Sequence, residues 1–149
     1  MSDEKQFCTF YLDNHTFGVS VETVQEVFRY QEMTKIPLAP PSVRGLINLR
    51  GQIITAIDLR HRLGMDSLPE DKLPMNVVVR TGESVVSLLV DEIGDVLEVP
   101  TEVFERPPET IPLEVRKLVS GVYKLDGKLL LILDAEKAVK VNAGLTPAA

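Results

Sequence analysis

The segment GLINLRGQIITAIDLRHRLG, residues 45–64, contains the pattern that decides the fold. Two stretches rich in apolar residues flank Arg50-Gly51, which predicts two strands joined by a tight hairpin turn. Asp58 follows the second stretch and stands where an N-cap would begin a short helix. The segment is therefore predicted to form a strand–turn–strand–helix unit.

A second copy of this unit, GVYKLDGKLLLILDAEKAV, occupies residues 121–139 and aligns with residues 45–63 without gaps. Apolar positions match over most of both strands, and the turn glycine and capping aspartate are shared. A repeated supersecondary unit predicts two similar barrel halves. Chance similarity between two hairpins is the alternative, because such turn signals are common. The shared residues are Gly45 and Gly121, Leu49 and Leu125, Gly51 and Gly127, and Asp58 and Asp134.

The two copies differ at the first residue of the turn, which is Arg50 in one and Asp126 in the other. Short polar residues suit this position because they tolerate a positive φ. The turn itself gives no reason for an arginine. We therefore expect Arg50 to project into solvent or toward a partner.

A short helix is predicted to begin after Ser20, which is a suitable N-cap. The apolar residues that follow fall on one helical face, and the pattern ends near Tyr30. The residues on that face are Val21, Val24, Val27 and Phe28.

The rest of the chain predicts mostly β structure, with many short strands and few helices, which favours small barrels. A final helix is predicted from Asp134 to about Val141, and residues 142–149 are expected to form a loose tail. The additional strands are predicted at Gln6–Leu12, Thr16–Val19, Asn76–Arg80 and Ser84–Val90.

Composition and charge limit the classes of function. A chain of 149 residues suits one domain, or two small halves that share a core. A net charge of −6 and a pI of about 4.9 argue against broad contact with nucleic-acid phosphates or an anionic membrane surface. Cys8 is the only cysteine, which fits a reducing compartment. With a polar N-terminus and no long apolar run, the sequence predicts a cytoplasmic protein that binds a protein partner.

No pattern typical of catalysis or cofactor binding is recognisable. His15 and His61 lie in polar contexts, and there is no Cys/His metal spacing, phosphate-binding glycine loop or nucleophile elbow. We therefore predict a protein without enzymatic activity, metal or cofactor. Two alternatives stay open. One is a small hydrolase that uses two of the 22 acidic residues, and the other is a nucleic-acid-binding barrel, which the lack of interleaved aromatic and basic residues disfavours.

The segment VRGLINLRGQIITAIDLRHRLG, residues 43–64, resembles the hallmark of the CheW family, the chemotaxis coupling proteins. It contains Arg-Gly, then Asn-Leu-Arg-Gly, then an apolar strand that ends in Asp-Leu-Arg. The segments VETVQEV and VVSLLVDEIGDVLEV resemble other blocks of that family, and the likeness extends from Gln6 to Val141. It is weaker at Thr55-Ala56-Ile57, where the family often has a proline, and in the loop FERPPET, which matches a ring-contact region only loosely.

The resemblance implies a mainly β fold of two small five-stranded SH3-like barrels packed together, in a single domain over residues 1–149. It also implies a non-enzymatic adaptor that couples methyl-accepting chemotaxis receptors to the histidine kinase CheA. The implied partners are the cytoplasmic tip of the receptors and the regulatory domain of the kinase, which is similar in fold. No contact with nucleic acid or directly with the membrane is expected.

Two features are expected at the binding site. Four aliphatic residues would form a groove for a partner helix, with plain core as the alternative. Arg50 would meet either an acidic partner or Glu26 of the same chain. The groove residues are Val24, Val27, Ile93 and Val96. The resemblance implies that receptor or kinase binding involves Val24, Glu26, Gly45, Arg50, Ile93 and Val96, and the expected groove adds Val27.

Overall fold

The computed structural model of the protein describes residues 4–69, 71–82, 84–100 and 104–140. Within these ranges most residues lie in strands, so the predicted fold class is confirmed. The loose tail predicted at 142–149 lies outside the described residues. The strands are β1 (Glu4–Leu12), β2 (His15–Ser20), β3 (Val24–Phe28), β4 (Val43–Leu49), β5 (Gln52–Asp58), β6 (Met75–Thr81), β7 (Ser84–Val90), β8 (Glu92–Pro100), β9 (Phe104–Glu105), β10 (Val119–Leu125) and β11 (Lys128–Leu133), and the helices are α1 (Leu59–Arg62), α2 (Leu113–Arg116) and α3 (Ala135–Val139).

The strands form two sheets that exchange hairpins. One sheet has the order β8-β1-β2-β11-β10-β9, and the other has the order β3-β6-β7-β5-β4. Neighbouring strands are antiparallel except for the parallel pairs β2–β11 and β5–β7. The hairpin β1–β2 therefore lies in a sheet built mainly from the C-terminal part of the chain, and β6–β7 lies among strands from the N-terminal part. The two-residue β9 makes the first sheet six-stranded rather than five-stranded.

The repeated hairpin units adopt the same structure. Strands β4 and β5 pair in the same register as β10 and β11, 76 residues later, and both pairs have a bulge at the equivalent place. Asp58 and Asp134 both act as N-caps by accepting a hydrogen bond from the backbone N–H three residues on. The predicted repeat is confirmed. Equivalent opposed pairs are Val43–Ile57 and Val119–Leu133, Leu46–Thr55 and Val122–Leu131, and Leu49–Gln52 and Leu125–Lys128.

The other strands also repeat, at an offset of 69 residues. Strands β1 and β2 pair in the register of β6 and β7, and β3 pairs with β6 as β8 pairs with β1. Val24 lies opposite Val79, and Ile93 lies opposite Phe10, which is the equivalent pair. Residues 4–63, the first half, and residues 75–140, the second half, are thus related by an internal pseudo-two-fold arrangement.

The helix predicted after Ser20 is wrong, because Val24–Phe28 forms strand β3 at the edge of the five-stranded sheet. A bulge between Val24 and Glu26 places one extra residue in the strand. That residue interrupts the alternation of period two, so the apolar side chains recur at a spacing that imitates a helix. Valine and phenylalanine favour strands, and pairing with β6 decides the outcome.

A mainly aliphatic core joins the two sheets, and each sheet also encloses a small core of its own. The main core lies between the sheets and draws on both halves of the chain. Within the part of the chain that the structure describes, no helix is long and apolar enough to cross a membrane. The core of the five-stranded sheet contains Ile47, Leu49, Ile54 and Val78, and that of the six-stranded sheet contains Phe7, Val99, Tyr123, Leu130 and Ile132.

Candidate functional site

Arg50 lies at the tip of the β4–β5 hairpin in a conformation that arginine rarely adopts. Its φ is 53°, in the left-handed region, whereas the equivalent Asp126 has no positive φ and leaves that conformation to Gly127. An L-residue with a side chain is strained there, and Gly or Asn would be accommodated more easily. The hairpin therefore holds arginine in a backbone conformation that disfavours a side chain.

The guanidinium of Arg50 forms a bidentate pair with Glu26. Nη1 donates to Oε2 and Nη2 donates to Oε1, each at 2.7 Å. These hydrogen bonds, together with the charge of the carboxylate, raise the pKa of Arg50. The predicted contact with Glu26 is confirmed, and it attaches the hairpin tip to β3. The Arg50 side chain is still 75% exposed, so its outer face is accessible to a second molecule.

Strand β3 presents one half-buried and one accessible valine beside this pair. Val24 is half-buried and packs against the main core, whereas Val27 is 41% exposed. The strand pairs only with β6, so its other edge carries no strand among the described residues. Glu26 and Val27 are neighbours on this edge strand, so their side chains point to opposite faces of it. The edge therefore exposes Val27 on one face and Arg50, paired with Glu26, on the other. We call these three residues the β3 surface.

Ile93 and Val96 occupy the equivalent positions in the other sheet. Both lie on β8, where Ile93 is half-buried against the main core and Val96 is 55% exposed. The offset of 69 residues matches Ile93 with Val24 and Val96 with Val27. The four predicted groove residues are therefore two equivalent pairs on the edge strands of two different sheets. In each pair one residue packs against the core, and the other leaves apolar area exposed.

The ion pair exists in the first half only. The residues equivalent to Glu26 and Arg50 are Asp95 and Asp126, which are both acidic. The pseudo-two-fold arrangement therefore relates two surfaces of similar apolar character and different charge.

Gly45 is buried, and its place in the structure explains why the residue is glycine. A Cβ at this position would lie 2.6 Å from the backbone oxygen of Thr34. Thr34 and Leu46 exchange backbone hydrogen bonds of 2.8 Å, which close the five-stranded sheet beside β4. Any contribution of Gly45 to partner binding therefore passes through the shape of the barrel rather than through direct contact.

Sequence reasoning missed a buried cluster of charges centred on Arg60. This side chain is almost completely buried, and its Nε and Nη2 donate to both carboxylate oxygens of Asp91 at 2.7 and 2.6 Å. Nη2 also donates to Asp13 at 2.5 Å, and Nη1 donates to the backbone oxygen of Asp66 at 2.8 Å. The only available signal was the Asp-Leu-Arg end of the hairpin motif, which does not name the partners of the arginine.

The cluster fixes the charge state of Asp91. Burial alone would raise its pKa, but hydrogen bonds from Arg60 and from the backbone N–H of Asp13, together with the positive charge of Arg60, lower it below the usual range. Asp91 lies where the chain passes from β7 in one sheet to β8 in the other. Arg60 therefore attaches the crossing between the two sheets at Asp91 to the β1–β2 turn at Asp13.

Comparisons with known proteins agree with this arrangement. A family model described as the CheW-like domain matches residues 6–142. The chemotaxis protein CheW of Klebsiella aerogenes is 31% identical over 133 residues, which cover 89% of this chain and 80% of the relative. The corresponding protein of Bacillus subtilis is 28% identical over 131 residues, 88% of this chain and 84% of the relative. The crystal structure of the scaffolding protein TtCheW from Thermoanaerobacter tengcongensis matches with a TM-score of 0.82 and 31% identity, over 95% of this chain and 90% of that one.

Proposed function

The chain belongs to the CheW family, a family of non-enzymatic scaffolding proteins, and we propose that it couples methyl-accepting chemotaxis receptors to the histidine kinase CheA. Its two sheets correspond to the two SH3-like subdomains of that fold. A scaffold needs exposed surfaces that bind other proteins, without a reaction centre. The β3 surface meets that requirement, and the strained, exposed Arg50 within it is the single observation that carries the proposal.

The receptor tip is the partner proposed for the β3 surface and for β8. A receptor helix can bury one apolar stripe against an apolar surface, and charged residues at the rim then fix its position. Val27 and Val96 offer the exposed apolar area. The Glu26–Arg50 pair offers two fixed charges to an oppositely patterned helix. The backbone strain at Arg50 supports this role, since strained residues persist where the surroundings and the function require them.

The regulatory domain of the kinase is proposed as the second partner. The resemblance to CheW implies that this domain has the same kind of fold. Two related domains with two subdomains each can associate through surfaces other than the one that holds the receptor helix. A scaffold of this kind binds both partners at once, so the receptor and the kinase domain should not compete for it.

Direct binding tests this proposal. The purified protein is titrated with a receptor-tip fragment, with the kinase regulatory domain, and with both, and complexes are detected by size-exclusion chromatography. Val27→Asp should weaken binding of the receptor fragment about tenfold or more, because it places a charge at the apolar contact. Leu73→Asp is the matched control, since Leu73 is also exposed but lies in a loop outside the surface. Absence of binding to both partners, or equal effects of the two variants, would contradict the proposal.

A further inference from the structure

Four strand pairings join the two halves of this chain. Strand β1 pairs with β8, β2 with β11, β3 with β6, and β5 with β7, and each of these pairs joins a strand of the first half to one of the second. In the described residues, the first half by itself keeps the hairpins β1–β2 and β4–β5 and the bridge between Thr34 and Leu46. Neither sheet can be completed by one half alone.

Side-chain contacts follow the same pattern. The main core combines Phe10 and Phe17 of the first half with Val122 and Leu131 of the second. Arg60 of the first half donates to Asp91 of the second. The guanidinium of Arg62 in α1 donates to the backbone oxygens of Lys137 and Ala138 in α3, at 2.7 and 3.1 Å. The interface between the halves is thus as specific as a domain interior.

The covalent connection between the halves contributes little to this interface. It runs from Gly64 to Pro74, and those of its residues that the structure describes lie outside all helices and strands. Met65 packs against the core, and the oxygen of Asp66 accepts from Arg60. After these residues, the backbone N–H of Lys72 donates to the backbone oxygen of Pro69 within the loop, and Leu73 is exposed. The described residues of the segment 67–73 therefore serve mainly to span the distance between the end of α1 and the start of β6.

We infer that a second copy of this chain can supply the missing half, so that two chains form a dimer by exchanging halves. The first half of each copy would pair with the second half of the other, and every strand pairing and core contact would be retained. Only residues 64–74 would follow a different path, which is the condition for low-cost domain swapping. A short connection gives the attached half an effective concentration of about millimolar, so the monomer prevails in dilute solution.

The exchanged dimer would carry two complete binding units. Glu26, Val27 and Arg50 all lie in the first half, so each β3 surface stays intact within one chain. Each unit would also contain a β8 from the other chain at the equivalent place. Such a dimer would bridge two partners. This inference rests on the strand pairings and is independent of the proposed function, because its test is the oligomeric state.

The native Cys8 provides a direct assay. Cys8 of β1 lies opposite Val96 of β8, one residue from each half. In the variant Val96→Cys, oxidation should join the two positions, because directly opposed side chains in an antiparallel pair lie close enough for a disulfide after small adjustment. In a monomer this bond lies within one chain. In an exchanged dimer it links two chains, and a non-reducing denaturing gel separates the two products.

The experiment combines this variant with deletion of residues 67–73, which keeps Met65 and Asp66 but shortens the connection. The expected result is a folded dimer by sedimentation equilibrium, with interchain disulfides on the gel. The control replaces the same seven residues with a Gly-Ser sequence of equal length and should remain a monomer with an intrachain disulfide.

A second measurement uses the Val96→Cys protein with its full connection. It is refolded at about 1 mM, where interchain bonds should appear, and at about 10 μM, where they should not. The inference is overturned if the disulfides stay within single chains in both the deletion variant and the concentrated sample, or if neither yields a folded dimer.

Discussion

Replacing Arg60 with methionine should destabilise the fold far more than the same change at an exposed arginine. The Arg60 side chain is 9% exposed and gives two hydrogen bonds to Asp91 and one to Asp13. Methionine fills similar space but leaves both carboxylates without a cation. Removing one partner of a buried ion pair costs about 3–5 kcal/mol. Because Asp13 is half exposed and can be rehydrated, we expect a loss near the lower end, about 3 kcal/mol.

Thermal unfolding at pH 7, followed by circular dichroism, measures this loss. For a chain of this length, about 3 kcal/mol corresponds to a decrease in Tm of about 6–12 °C. Arg80→Met is the matched control, because Arg80 is exposed and its side chain donates only to Gln25 among the described residues. Its Tm should change by no more than about 2 °C. The reasoning is refuted if the two variants unfold at the same temperature.

Three further predictions concern the same structure. Asp91 has a lowered pKa in the folded protein, so its charged form stabilises the fold above about pH 4, and this contribution is lost as the pH falls. The Tm of Arg60→Met should therefore fall less than the Tm of the parent between pH 6 and pH 3. Equal falls in Tm would contradict this. Gly45→Ala should lower the Tm by several degrees, because the new Cβ would overlap the backbone oxygen of Thr34. An unchanged Tm would show that the backbone at Thr34 moves to make room. Val96→Asp should weaken binding of a receptor-tip fragment more than binding of the kinase domain, because Val96 is exposed, and equal losses for both partners would contradict this.

Local signals in the sequence were sufficient for the repeated hairpin unit. The turn at Arg50-Gly51 and the caps at Asp58 and Asp134 depend on residues close together in the chain, and all were predicted correctly. The contact between Arg50 and Glu26 was one of two stated options, and the structure shows that it forms. Turns and helix caps depend on residues that are close together in the chain, so a single sequence is sufficient to predict them.

The features that the sequence did not reveal depend on pairing between distant segments. The exchange of hairpins between the two sheets depends on which distant strand pairs with each hairpin. The alternation of apolar and polar side chains along a strand does not specify that partner. The bulge in β3 gave its apolar residues a helix-like spacing, so the strand was predicted as a helix. The Arg60 cluster unites residues 13, 60 and 91 from three separate parts of the chain. Sequence spacing alone cannot bring such residues together.

The central claim is that Arg50 serves a partner rather than the fold, and one comparison tests it most directly. Thermal stability and assembly of the receptor–kinase complex are measured together for Arg50→Asn, Arg50→Glu and the control Asp126→Asn at the equivalent turn. Asparagine accepts the left-handed conformation, so Arg50→Asn should melt at the parent's temperature or about 2–4 °C above it, while assembly weakens about tenfold. Arg50→Glu should assemble less well still, because it adds repulsion next to Glu26, and Asp126→Asn should assemble normally. If both Arg50 variants assemble like the parent, or lose assembly only together with the fold, the claim is wrong.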